Sequence, residues 1–346
     1  MKPIRAAVIG AGSFGRNHAR VIHQLANVKL AAIVDSDLAK AQLLASEFDS
    51  TPFTSIDDAI AHMDAAVVAT PTVTHEQVAT RLMEAGIDVL VEKPIADSSA
   101  AGERLAYLAQ ERGRILQVGH LERFNPAVAA LQSAVTIPLF FEVHRLSVFS
   151  PRSLDIDVVL DLMIHDLDIV LSFTGEQPVE IRAAGISVLS TRVDIANVRL
   201  SFASGCIANL TASRVSTEQV RKLRLFQPGE YISLDYQRQD AVRLAIRKND
   251  PKEEFVRQKD TNAPPVSSSS GFVSQSAPQI GYDPLPVTQG EPLRLELEAF
   301  FACVRDRSKP RVDGFEAVNA LRLAELILAK IEKHAELVAE TIRRRS

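Results

Sequence analysis

Little in this sequence points to a covalent or metallic framework. Its 346 residues include two cysteines, Cys206 and Cys303. They stand far apart, and neither belongs to a CxxC or other metal-ligand spacing, which argues against a disulfide or zinc scaffold. No His, Cys, Asp and Glu cluster suggests a metal site. Long apolar runs are missing too: none approaches the roughly 18 residues that a membrane-spanning helix needs. The first apolar run, Ala6 to Gly12, is too short and glycine-rich for a signal peptide, so a cytoplasmic location is the default expectation. Nor is there an excess of one charge. The formal net charge is -4, which leaves no global basic field to attract nucleic acid or an anionic membrane. The basic end, Arg343 to Arg345, reads as a solvated terminus.

What is present is an ordinary globular composition, 46% hydrophobic and 24% charged, in a chain long enough to favour two domains. Over the first 120 residues, short β-rich apolar runs alternate with helical stretches. The runs are Ala6–Ile9, Leu30–Val34, Ala66–Ala69, Val89–Val91 and Ile115–Val118. The helical stretches are Phe14–Leu25, Leu38–Phe48, His75–Ala85 and Ala100–Arg112. This order predicts βαβ units in a doubly wound parallel sheet. After Gly119 the pattern changes. Asn125-Pro126 predicts a helix start, and Val158–Phe173 an apolar, buried helix. Strand-like runs then dominate: Leu139–Val148, Val179–Leu189, Ile195–Phe202, Cys206–Ser213, Leu223–Phe226 and Tyr231–Tyr236. An α+β domain with a largely antiparallel sheet is expected there. Residues 250 to 285, rich in Pro, Ser and Gly, predict a flexible loop, with a substrate lid as the alternative. Two helices, Leu293–Arg305 and Gly314–Arg343, close the chain.

The segment Gly10-Ala11-Gly12-Ser13-Phe14-Gly15 is a GxGxxG turn between a strand and a helix. Gly10 permits the tight turn, Gly12 admits a pyrophosphate, and Gly15 lets helix and strand approach. The helix N-terminus at Ser13 and Phe14 offers free N–H groups to phosphate. Asp35 ends the second strand 20 residues after Gly15. An acid there can bond ribose hydroxyls and repel a 2′-phosphate, which favours NAD over NADP; its alternative use is to cap the next helix, beside Ser36 and Asp37. Further along, Thr70-Pro71 with His75, and Glu92-Lys93-Pro94, lie at strand ends that face the ligand crevice of such a sheet.

The helix predicted at 158–171 is apolar almost all round, yet Asp157, Asp161, His165 and Asp168 recur on one stripe. A carboxylate one turn from a histidine can fix its tautomer and raise its basicity, a general-base arrangement. A solvated stripe and a core histidine are the blander alternatives. His120 and Arg123, after Gly119, and His144, between Glu142 and Arg145, are further pocket candidates. His18, His23, His62 and His334 read as surface.

These marks together resemble the glucose–fructose oxidoreductase, inositol dehydrogenase and rhizopine catabolism (Gfo/Idh/MocA) family. The resemblance spans positions 10 to 165: the GxGxxG turn, Ala69-Thr70-Pro71 with His75, Glu92-Lys93-Pro94, Gly119 to Pro126, and Asp161 with His165. It implies a Rossmann domain over residues 1–120 that binds NAD through Gly10, Gly12, Ser13, Phe14, Gly15, Asp35, Thr70, Pro71, His75, Glu92 and Lys93. It implies a substrate and oligomerisation domain over 121–313, and a C-terminal helix, 314–346, packing back on the first domain. Lys93, Asp161 and His165 match the family's catalytic residues; His120, Arg123 and His144 stay candidates for the substrate pocket. The chain departs from the family in carrying Val158-Val159-Leu160 where glycines are common, which puts the local backbone in question. Within the family, segments 119–126 and 160–168 look most like a bacterial subgroup that oxidises C3 of UDP-N-acetylglucosamine. That subgroup supplies a PLP-dependent aminotransferase in lipid A synthesis. The implied substrate is a sugar nucleotide and the implied assembly a homodimer or homotetramer. Another sugar or cyclitol dehydrogenase, and a non-catalytic NAD-binding regulator, are the alternatives.

Overall fold

A computed structural model describes residues 2–150, 156–247 and 279–345. The chain begins with β1 (Ile4–Ile9), α1 (Ser13–Gln24), β2 (Val28–Val34), α2 (Leu38–Glu47), β3 (Thr51–Phe53) and α3 (Ile56–Ala59). It continues with β4 (Ala65–Val68), α4 (His75–Glu84), β5 (Asp88–Glu92), α5 (Ser99–Arg112) and β6 (Leu116–Gly119). The six strands form one sheet in the order β3-β2-β1-β4-β5-β6, parallel throughout. Strands such as β4, buried at every position, are apolar on both faces because helices cover both. One face carries α1, α2 and their apolar partners; the other carries α4 and α5. β3 went unforeseen: three residues with a central proline give no periodic signal.

The second half contains α6 (Pro126–Ala134), β7 (Phe140–Val148), a π-helical turn (Val159–Met163) and α7 (Ile164–Thr174). Then come β8 (Glu180–Ile186), β9 (Ile195–Ser201), β10 (Ile207–Ser216), β11 (Val220–Gln227), β12 (Glu230–Asp235), β13 (Asp240–Arg247) and β14 (Gln279–Pro284). These eight strands pair in the order β14-β13-β12-β11-β7-β10-β9-β8. Every pairing is antiparallel except β7 with β10. Phe141 and Val143 of β7, with Leu223 and Leu225 of β11, pack against α6 and α7. Among the described residues nothing covers the opposite face of the sheet, where Phe226, Ile246 and Tyr282 are exposed. The strand β14 lies inside the stretch expected to be a loop; residues 248–278 lie outside the described residues, and with them most of the candidate lid.

The chain closes with α8 (Pro292–Asp306) and α9 (Gly314–Arg345). α8 falls in the stretch assigned to the substrate domain, but it packs on the first sheet through Leu297, Phe300, Phe301 and Cys303. α9 packs back on the first domain and on the second as well. It serves both cores: Ala317, Val318, Ala320 and Leu321 complete the first, and Leu323, Ala324, Ile327 and Ile331 the second.

Candidate active site

The glycine turn is fixed by sterics. Gly10 has φ +101°, and a Cβ there would meet the Ala69 carbonyl oxygen at 2.6 Å. A Cβ on Gly15 would sit 1.8 Å from the Gly10 oxygen. Gly12 differs: nothing lies within 4 Å of where its Cβ would be. It is also the N-cap of α1, with no side chain capping the helix, so the first N–H groups face open space beside Ser13 and the exposed Phe14. Asp35 accepts the Ala11 N–H at 2.7 Å and the Asp37 N–H at 2.9 Å. It tethers the glycine turn, and the cap of α2 is Asp37, which accepts from Ala39 and Lys40. An open cradle, an uncapped helix end and a carboxylate at the end of β2 together fit a dinucleotide.

Lys93 follows β5, and its Nζ lies 2.7 Å from the Asp161 carbonyl oxygen and 3.5 Å from Asp161 Oδ1. The carbonyl belongs to the π turn, whose wider winding disturbs the i→i−4 ladder. Burial pushes the Lys93 pKa down, against the pull of Asp161 and Glu92. His165, one residue into α7, is partly exposed, but its Nδ1 is buried without a hydrogen-bond partner. Burial, then the Lys93 and Arg145 charges, hold its pKa well below the usual histidine value. Its imidazole is therefore neutral at pH 7 and able to take a proton. His120 lies behind it, ring centroids 6.4 Å apart. Burial, with Arg123 and Lys93 adding to it, depresses His120 to about 3.

Buried ion pairs hold these groups. Arg145 on β7 reaches Asp166 of α7 through Nε (2.7 Å) and Nη2 (2.8 Å), and Glu122 through Nη1 (2.9 Å). Its guanidinium also lies 5.0 Å from the centre of the Tyr236 ring. Breaking such a pair leaves a buried charge and costs about 3–5 kcal/mol. Beneath Lys93, the buried His18 Nε2 sits 2.6 Å from Glu92 Oε1.

Residues 4–120 match the oxidoreductase family with an NAD-binding Rossmann fold, GFO_IDH_MocA, and residues 143–226 match the GFO/IDH/MocA C-terminal domain. The UDP-N-acetylglucosamine 3-dehydrogenase of Acidithiobacillus ferrooxidans is 40% identical over 234 residues, 67% of this chain and 74% of that protein. The chain belongs to the Gfo/Idh/MocA oxidoreductase family. The solved structure of the same dehydrogenase superposes with a TM-score of 0.84 at 31% identity, covering 96% of this chain and 99% of that one. An inositol 2-dehydrogenase of Rhizobium meliloti is 29% identical over 232 residues, 62% of this chain and 70% of that protein. A myo-inositol 2-dehydrogenase from Lactobacillus plantarum shares the fold, with a TM-score of 0.73 at 20% identity over 96% and 98% of the two chains.

Within this Gfo/Idh/MocA chain, Lys93 meets Asp161 and its charge acts on His165, while several expected contacts are replaced. Asp161 does not bond His165. The π turn breaks the i, i+4 relation assumed for a regular helix, and Asp161 meets Lys93 instead. His144 alternates with Arg145 on β7, so it points to the open face of the sheet, away from α7. Arg123 is spent inside the protein on Asp168 (3.3 Å) and Glu316 (3.2 Å). Asp168 is thereby turned from the supposed polar stripe, and Asp157 accepts the Val193 N–H. His75 is buried, its two ring nitrogens each 2.9 Å from a carbonyl oxygen, of Pro94 and Thr70. It braces the two strand-end turns together. His18, read as surface, is 1% exposed. The residues overlooked are Arg145, Asp166 and Arg221. A signal existed for Arg145: it continues the 141, 143, 145 series that faces the core, where a charge needs a partner.

Proposed function

We propose that this oxidoreductase is an NAD-dependent dehydrogenase that oxidises the C3 hydroxyl of UDP-N-acetylglucosamine to a 3-keto sugar nucleotide. The observation that carries the reading is Lys93 Nζ held by the Asp161 carbonyl and carboxylate, close enough for its charge to act on His165, in a chain similar to a dehydrogenase of that name. The sugar hydroxyl sits between the two side chains. His165 removes its proton as general base. Lys93 donates a hydrogen bond to the oxygen as negative charge develops there. The Asp161 carbonyl and carboxylate keep the ammonium aimed. When bound, a nicotinamide dinucleotide would supply the acceptor for the hydride, with Gly10, Gly12, Gly15 and the N-terminus of α1 placed to hold its pyrophosphate. Asp35 supports NAD over NADP, because its carboxylate at the end of β2 repels a 2′-phosphate.

The 3-keto product is the substrate class of a PLP-dependent aminotransferase, consistent with a place in lipid A amino-sugar synthesis in the cytoplasm. Among the described residues no helix is long and apolar enough to cross a membrane. The open face of the second sheet, with exposed Tyr282, Ile246 and Phe226, supports a homodimer or homotetramer built there.

The test is NADH absorbance on mixing the protein with NAD and UDP-N-acetylglucosamine, beside free N-acetylglucosamine, glucose and inositol. An aminotransferase or a 2-oxo acid acceptor pulls an unfavourable oxidation forward. A signal with the nucleotide sugar is expected; a signal with inositol alone moves the enzyme to another substrate.

A further inference from the structure

Arg221 of β11 stands directly across from Arg145 of β7 in the sheet register. Leu223 and Leu225, of the same parity, belong to the core beneath α7, so both arginines rise from the helix-facing side. Their fates differ. Arg145 is saturated by Asp166 and Glu122. Arg221 makes no side-chain hydrogen bond or ion pair with any described residue, and its Nε is buried without a partner. It also stands close to the catalytic groups: its charge acts on His165, and that of Asp161 acts on it.

A partly buried guanidinium without an acceptor is unfavourable unless a ligand brings one. Its planar fork matches the paired oxygens of a phosphate. Proton removal and oxyanion stabilisation already have His165 and Lys93, so the chemistry leaves no work for a third cation. A neutral sugar or cyclitol offers it hydroxyl oxygens but no charge. A sugar with a phosphate on its anomeric oxygen supplies that charge, two ring carbons from the C3 hydroxyl that His165 would serve.

We propose that Arg221 is the phosphate-binding residue of the substrate site and makes the enzyme select sugars carrying a phosphate or diphosphate over neutral ones. This rests on the dehydrogenase reading above and adds the residue that enforces it.

The experiment compares wild type, R221Q and R221K. Each is assayed with UDP-N-acetylglucosamine, and binding of UDP and of inorganic pyrophosphate to the NAD-loaded protein is measured by calorimetry. R221Q is expected to raise KM and weaken both probes roughly 10- to 100-fold, the worth of a lost charged hydrogen bond. R221K is expected to recover part of the loss, and unaltered NAD affinity certifies the fold. Equal UDP and pyrophosphate binding by R221Q and wild type overturns the assignment while leaving the dehydrogenase reading intact. Should wild type not oxidise UDP-N-acetylglucosamine, that reading falls, and the probes still judge Arg221. Weakened binding in R221Q then supports it, and equal binding, or none by wild type, refutes it.

Discussion

Replacing Asp194 by alanine tests how the fold holds the π turn in place. Asp194, just before β9, is 0% exposed. Its Oδ2 accepts N–H groups from Val188 (2.7 Å), Leu189 (2.7 Å) and Ser190 (2.9 Å), and its Oδ1 accepts the Ser190 hydroxyl (2.6 Å). The same loop supplies the Val193 carbonyl that receives the Val158 N–H at 3.0 Å, one residue before the π turn. Each N–H stranded by D194A costs about 1–3 kcal/mol if it stays dry. Val188 and Leu189 are exposed, so water recovers part, and a net loss of about 3 kcal/mol is expected. For a domain of this size that is roughly 6–12 °C in melting temperature. A loosened Val158 should also displace Asp161 and lower kcat/KM roughly tenfold.

The pH dependence gives an independent check. Burial opposes the Asp194 charge, but the Ser190 hydroxyl and the backbone N–H groups outweigh it and hold its pKa at about 2, below the usual 3.8. A depressed carboxylate contributes stability that is full above the unfolded value and lost as pH falls through the folded one. The gap between wild type and D194A should therefore close as the pH drops from 4 toward 2. The reasoning fails if thermal melting at neutral pH puts D194A within 2 °C of the parent (roughly 1 kcal/mol or less), or if the gap widens in acid.

Other predictions concern the site itself. H165A and K93M should each lower kcat roughly 10²- to 10³-fold, read as NADH formation, with NAD affinity kept. If His165 is the base proposed above, it must be unprotonated, and with its pKa depressed kcat/KM should hold as pH falls through 6.5 and decline only below it; K93M, lacking the neighbouring cation, should shift that acid limb upward. G12A should fold and melt like wild type but bind NADH weakly, since its methyl enters the open cradle. G15A should lower the melting temperature as well, because its methyl strikes the Gly10 carbonyl.

Much of this was legible because it is written locally. The five apolar runs of the first sheet, the glycine turn and the Lys93-Pro94 strand end follow from periodicity and turn chemistry. What was hidden depends on partners distant in sequence. Arg123 looks like a pocket residue until Asp168 and Glu316 are seen to consume it. His18 sits on an amphipathic helix and gives no hint of Glu92, 74 residues on. His144 and Arg145 are neighbours in sequence with opposite fates, because alternation says that they part but not which one faces the core. The π turn was invisible for another reason: one extra residue in a turn leaves the composition of Val158–Phe173 unchanged while rotating Asp161 off the histidine.

The sharing of α9 between both cores bears on the order in which the molecule can be made. At about 5–20 residues per second, a ribosome needs roughly a quarter of a minute to a minute to deliver the residues before Gly314. All that time, the surfaces destined for Val318, Leu321, Ala324 and Ile327 stay uncovered. Each half lacks part of its interior until that one late helix is made, and two apolar seams stay open to foreign partners meanwhile.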